Sequence, residues 1–159
     1  MTVTTTAYVD SPIGGLRIHS DGTGVVAIDF GADPVEPDSP RDAVLDAAVA
    51  QLREYFAGER TTFDLPLAPR KGSAFQRAVW KQLGDIPYGE TATYGEIAAR
   101  LELGAFGARA VGSANASNPI PVIVPCHRVV GANGTLTGYA GGLDRKQTLL
   151  DLERGPALF

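Results

Sequence analysis

Leu65-Pro66-Leu67-Ala68-Pro69-Arg70-Lys71-Gly72 holds two prolines, a glycine and a change of charge sign within eight residues. Proline and glycine break both helix and strand, and domain boundaries favour such segments. The stretch therefore predicts two domains, 1–69 and 70–159. Before it lie four Lys/Arg and eleven Asp/Glu, a net −7; from Arg70 onward there are ten and seven, a net +3. A total of −4 argues against a nucleic-acid binder until it is divided in this way, and the mildly basic half permits contact with a polyanion. With 159 residues, 44% hydrophobic and 20% charged, the chain can bury a core and has no run near the roughly 18 apolar residues of a membrane span.

Upstream of the boundary, Ala7–Val9, Leu16–His19 and Val25–Phe30 read as short strands. They are separated by Ser11-Pro12-Ile13-Gly14-Gly15 and Asp21-Gly22-Thr23-Gly24, which predicts an antiparallel meander. Gly31 to Pro40 is loop. Ser39-Pro40 gives an N-cap and first-turn signal, Val44, Leu45, Ala48, Leu52, Tyr55 and Phe56 follow at helical spacing, and Gly58 is the stop. This amphipathic helix is suited to cover one face of the sheet.

Downstream, the chain reads as short helices. Ser73-Ala74-Phe75-Gln76 and Thr93-Tyr94-Gly95-Glu96 fit capping boxes ahead of apolar runs. A third helix is expected over Gly107 to Ala116, with Ala110, Val111 and Ala114 as a narrow apolar face and Gly112 and Ser113 thinning the other side. Two helices joined by a tight turn, the second one slim, make a helix-turn-helix pattern. Val122-Ile123-Val124 and Arg128-Val129-Val130 read as strand-like and Gly131-Ala132-Asn133-Gly134 as a turn. Asp144 is a candidate cap for a last helix running to about Glu153. Trp80 reads as core and His19 as an exposed strand residue. Lys146 reads equally as support for a neighbouring loop or as a solvated lysine, and is given no role.

The chemistry concentrates in Asn118-Pro119-Ile120-Pro121-Val122-Ile123-Val124-Pro125-Cys126-His127-Arg128-Val129-Val130. Cys126 is the one cysteine, which excludes an internal disulfide and a multi-cysteine zinc site. Flanked by proline and followed by histidine, it suits thiolate nucleophilic chemistry. A thiol with a pKa of about 8.5 is only slightly ionised at neutral pH, so a nucleophile here needs a lowered pKa or a neighbouring base. His127, Arg128 and a remote carboxylate such as Glu153 are candidates to supply it. A small buried hydrophobe after a Val-Ile-Val run is the competing reading.

Pro125-Cys126-His127-Arg128-Val129, preceded by Asn118-Pro119 and Arg109-Ala110-Val111-Gly112 and followed by Gly138-Tyr139-Ala140-Gly141-Gly142-Leu143, resembles the O6-alkylguanine-DNA alkyltransferases. The resemblance runs from Gly72 to Glu153 and includes Phe75-Gln76, Val79-Trp80, Ile86-Pro87-Tyr88-Gly89-Glu90 and Thr93-Tyr94-Gly95-Glu96. It implies an α/β fold: a ribonuclease-H-like strand and helix domain, then a winged helix-turn-helix-like domain holding Cys126. It further implies irreversible, single-turnover transfer of an alkyl group from O6 of guanine, with O4 of thymine a further candidate, to the protein's own cysteine. The implied partner is double-stranded DNA carrying the lesion, met by a monomer with scope for cooperative assembly on DNA. No metal and no other cofactor is implied.

By the same resemblance Cys126 is the acceptor, His127 draws off its proton through water, Glu153 orients the imidazole and Asn118 braces the turn. Tyr94 donates a proton or hydrogen bond to the guanine ring. The target atom lies inside the stacked duplex, so the base must be extruded at a cost of a few kcal/mol. Arg109 is the implied residue that fills the gap, carried by a helix that enters the minor groove, and the small Ser113 side of that helix fits close approach. Tyr139 stacks on the flipped base and Pro121 walls the pocket. Backbone groups of Cys126, Val129 and Ala140 read the guanine edge, and Gly138, Gly141 and Gly142 give their loop its backbone freedom.

The chain departs from the family at Leu101-Glu102-Leu103-Gly104-Ala105-Phe106-Gly107, a turn one residue longer than the usual Gly-x-Pro. Residues 1–69 lack the zinc ligands of some relatives. The rival readings are a non-catalytic lesion-recognition protein, which Cys126 argues against, a transcriptional switch, for which this sequence shows neither an additional DNA-binding domain nor a second cysteine, and a cysteine hydrolase, separable by turnover. Met1 to Asp10 has no Lys, no Arg and no apolar stretch, so no secretory signal is expected, and the predicted place of work is the cytoplasm, at the nucleoid if the source is bacterial.

Overall fold

A computed structural model describes residues 4–34, 42–104, 107–136, 138–139 and 141–155. The chain divides into two compact units, Met1–Arg70 and Lys71–Phe159.

In the first unit, β1 (Thr5–Val9), β2 (Leu16–Ser20) and β3 (Val25–Phe30) form an antiparallel sheet in that order. Ala7 pairs with Ile18, and Ile18 with Ile28, so one face collects Ala7, Val9, Leu16, Ile18 and Ile28, all buried. Helix α1 (Ala43–Phe56) buries Leu45, Ala48, Val49, Leu52 and Tyr55 at helical spacing and packs against the sheet. Each of the leucines and the valine contributes about 1.5–3 kcal/mol on burial. Its cap is Asp42 and not the expected Ser39, which with Pro40 lies outside the described residues. The Asp42 carboxylate accepts from the Leu45 N–H and from the Thr5 hydroxyl, each at 2.8 Å, so one side chain both caps the helix and ties it to β1. The end of this unit does not hang free: Val25 N–H donates to Pro66 O, and Ala68 N–H to Val25 O, along the edge of β3. His19 is not a bare surface residue, since its Nε2 lies 2.7 Å from the Asp29 carboxylate.

The second unit gathers α2 (Ala74–Gly84), α3 (Tyr94–Arg100), α4 (Gly107–Ala116) and α5 (Leu143–Arg154). Val79, Trp80, Leu83, Ile97, Val111, Ala114, Cys126 and Val129 share one apolar cluster. Both capping boxes form: Ser73 with Gln76 at α2, and Thr93 with Glu96 at α3. Helix α3 ends in a Schellman turn, with Glu102 at φ 56° where glycine is usual and Leu103 N–H donating to Ala98 O. Gly107 then lets α4 start hard against α3, because a Cβ there would stand 2.5 Å from that of Leu103 and 3.0 Å from that of Ala98. The described part of the unusual turn, Leu101–Gly104, thus has a defined geometry, and Ala105 and Phe106 lie outside the described residues.

Two short parallel strands, β4 (Ala92–Thr93) and β5 (Val129–Val130), link the helices to the cysteine segment. Val122-Ile123-Val124 is no strand. It is a tight turn closed by Val124 N–H on Ile120 O, with Val122 at φ 73°. Pro119, Pro121 and Pro125 remove the donors that a ladder would need. Arg128 belongs to a one-turn 3-10 helix, Cys126–Arg128, ahead of β5. Helix α5 starts from Gly142 at φ 91° with no side-chain cap, and Asp144 sits inside its first turn.

Candidate active site

The parallel pair β4–β5 brings two distant segments together. Thr93 pairs with Val130, so Tyr94, the first residue of α3, is set beside the turn that carries Cys126. Tyr94 and Tyr139 both pack partly buried against the apolar cluster that contains Cys126. Asn118, at the exit of α4, accepts from Ile120 N–H at 3.0 Å through Oδ1 and donates to Val124 O at 2.9 Å through Nδ2. One amide therefore spans the Pro-rich turn from both sides. Cys126 N–H, donating to Val124 O, carries that fixed geometry to the sulfur-bearing residue.

Behind the cysteine lies a buried charged group. His127 Nε2 donates to Glu153 Oε2 at 2.7 Å. Arg128 grips both oxygens of that carboxylate, Nε on Oε1 at 2.8 Å and Nη2 on Oε2 at 3.0 Å, while its Nη1 donates to Ile86 O. Its guanidinium carbon stands 5.8 Å from the centre of the Tyr88 ring. This bidentate pairing compensates a carboxylate charge that has almost no contact with water. With Nε2–H committed to Glu153, the neutral imidazole keeps its Nδ1 lone pair, and that atom is buried without a hydrogen-bond partner among the described residues.

Burial dominates the protonation of the pair. It pushes the Cys126 thiol above its ordinary 9.0, against the opposing pull of hydrogen bonds from Asn118 and Tyr139, the backbone and the Lys146 charge. It pushes His127 below its ordinary 6.5; Glu153 pulls the other way, and Arg128 and Lys146 add to the depression. A useful nucleophile needs a lowered thiol pKa or a neighbouring base; burial works against the first here, and the open Nδ1 of the adjacent His127 is a candidate for the second.

Lys146 is the residue that sequence reasoning passed over. It is fully buried, its Nζ lies 6.0 Å from the centre of the Tyr94 ring, and burial drives its pKa down while the charge on Cys126 draws it up. A signal existed: Lys146, Leu149, Leu150 and Glu153 recur at i, i+3, i+4, i+7 and form the buried face of α5.

The remaining expected residues separate by location. Pro121 and Val129 are buried in the site turn and strand. Arg109 and Ser113 are exposed on α4 with Ala108, Ala110 and Ala116, so Ala110 belongs to the outer face and not to the apolar one, which is Gly107, Val111, Ala114 and Asn115. That outer face is smooth apart from one arginine. Gly138 is exposed, and Ala140 lies outside the described residues.

Two family models match the chain: the ribonuclease-like domain of 6-O-methylguanine DNA methyltransferase over residues 5–69, and its DNA binding domain over 74–155. A methylated-DNA–protein-cysteine methyltransferase from Mycolicibacterium paratuberculosis is 54% identical, over 92% of this chain and 90% of its own length. One from Methanosarcina acetivorans is 51% identical, over 92% and 96%. The crystal structure of Mycobacterium tuberculosis O6-methylguanine methyltransferase superposes with a TM-score of 0.84 at 46% identity, covering 98% of this chain and 96% of that one. The M. tuberculosis protein in complex with DNA gives 0.82 at 47% identity, covering 95% and 92%.

Proposed function

This chain belongs to the 6-O-methylguanine DNA methyltransferase family, and from that premise we propose that Cys126 is the atom-accepting residue of a direct-reversal DNA repair reaction. The observation that carries the assignment is that a protein-cysteine methyltransferase needs a cysteine and this chain has one. The substrate is duplex DNA with an alkyl group on O6 of guanine, and the product is an S-alkylated protein.

In the reaction the Cys126 sulfur forms a bond to the alkyl carbon, the carbon–O6 bond breaks, and its electron pair leaves with the guanine. The thiol proton passes through a water to His127 Nδ1, the lone pair left open by the Glu153 contact. Glu153, held by Arg128, stabilises the imidazolium that results. Tyr94 donates to the guanine ring as charge develops there, and the buried Lys146 cation favours the sulfur anion. Asn118 keeps the turn in place. The target must leave the stack to reach a sulfur this deeply buried, so Arg109, exposed on the smooth face of α4, enters the duplex and holds the vacated position while Tyr139 and Pro121 receive the base. A thioether does not revert, so each molecule acts once.

No helix among the described residues is long and apolar enough to cross a membrane. The place of work follows from the substrate: the compartment that holds the DNA, which in a bacterial cell is the cytoplasm and its nucleoid.

Incubation with a duplex bearing one O6-[3H-methyl]guanine is expected to move label into acid-precipitated protein, and Cys126→Ser to take up none. Label on the Cys126→Ser protein would overturn the assignment.

A further inference from the structure

The carbonyl of Cys126 accepts two hydrogen bonds. The Val129 N–H closes the 3-10 turn from within. The second donor comes from outside the turn, Nδ2 of Asn115 on α4, at 3.3 Å. Asn115 is 3% exposed and shares the inner face of α4 with Val111 and Ala114, which belong to the apolar cluster around Cys126. Its Oδ1 has no hydrogen-bond partner among the described residues. A half-satisfied amide in an apolar core costs stability that a leucine of similar volume would not, so its presence calls for another explanation.

Helix α4 is itself anchored. Trp80 Nε1 donates to Ala114 O at 2.9 Å, and Ser117 Oγ donates to the same carbonyl at 2.8 Å. Six residues separate the outward Arg109 from the inward Asn115, about 9 Å along the axis at 1.5 Å per residue. A rigid rod with an exposed arginine near one end thus holds the peptide of the cysteine near the other.

We infer that Asn115 is a positioning residue that registers the Cys126 peptide to α4, so that the sulfur is aligned for attack only while this tether holds. The inference rests on Cys126 being the alkyl acceptor. The Val129 contact preserves the shape of the turn; the Asn115 contact fixes where that turn sits relative to the DNA-facing helix. Without it the turn stays folded and loses its register, and small misplacements of reacting atoms carry large rate penalties.

Single-turnover transfer from a saturating O6-methylguanine duplex tests this in Asn115→Leu and Asn115→Ala, with binding measured separately in a Cys126→Ser background. The rate constant is expected to fall roughly ten- to a hundredfold. One methyl group per folded molecule is still transferred, the duplex Kd is unchanged, and Tm for the leucine variant is not lowered. A purely structural role would reduce the reactive fraction and Tm while the surviving molecules react at the wild-type rate, and that result overturns the inference, as does an unaltered rate. Should the leucine variant fail to fold, the alanine variant decides, since it adds no volume; unfolding of both makes the residue structural and counts against the inference. A wild-type protein that transfers nothing is a different result, which removes the acceptor assignment and this inference with it.

Discussion

Burial sets the protonation of Cys126 and His127, the proposed reacting pair, before substrate arrives: a thiol held above 9.0 next to an imidazole held below 6.5. At neutral pH this is a protonated sulfur beside a neutral base. His127 is base-competent above its own lowered pKa, so the transfer rate should fall only as pH drops below 6.5 and stay flat from there to 9.0; His127→Gln should replace the plateau with a rate that climbs toward alkaline pH. A stopped-flow pH profile checks both, and a wild-type midpoint between 7 and 8.5 would count against the base role. The sign for stability follows: an unfolded chain takes up the proton that folded His127 refuses, so stability declines as pH falls below 6.5. Lys146 acts in the opposite sense on the sulfur. Lys146→Met should raise the thiol pKa and slow transfer at pH 7 on the order of tenfold per unit of that rise, in a protein that remains folded. Thiol titration and a melting curve on one sample test it; an unchanged thiol pKa would remove Lys146 from the chemistry.

Among the elements, α4 does two jobs with two faces. Its outer face is alanines, a serine and Arg109, and its inner face packs into the cluster around Cys126. Arg109→Ala should slow transfer from duplex DNA on the order of tenfold, because nothing fills the stack the base has left, yet leave transfer from a free O6-benzylguanine base unaltered. Equal loss on both substrates would place Arg109 in the chemistry instead. The helix itself was legible, because Gly107 and Ala116 bound a periodic run with no competing signal. Helices α2 and α3 were legible for the same reason: Ser73/Gln76 and Thr93/Glu96 satisfy their own backbone donors, a purely local interaction. The turn at Val122–Val124 was misread because β-branched residues favour strands locally, while the prolines on either side and the Asn118 clamp impose a turn that puts Val122 at positive φ.

Across the whole molecule, what the sequence hides is what depends on distant partners. The α1 cap is Asp42 because its carboxylate also reaches Thr5, 37 residues away. Lys146 is buried because α5 turns one face inward, and Asn115 matters because it meets a carbonyl eleven residues on. What the sequence displays is the proposed nucleophile, Cys126, since one cysteine in 159 residues leaves such chemistry a single place to occur, together with the histidine and carboxylate that the structure joins by a hydrogen bond. The division of charge, −7 before Arg70 and +3 from Arg70 onward, likewise puts the polyanion-tolerant half where the cysteine lies. The most direct measurement is intact mass with peptide mapping after titration by a duplex carrying one O6-methylguanine. The account predicts a gain of one methylene unit, saturating at one per protein, confined to the peptide containing Cys126 and absent in Cys126→Ser. A gain on any other peptide, continued turnover beyond one equivalent, or tight lesion binding with no gain at all would contradict it.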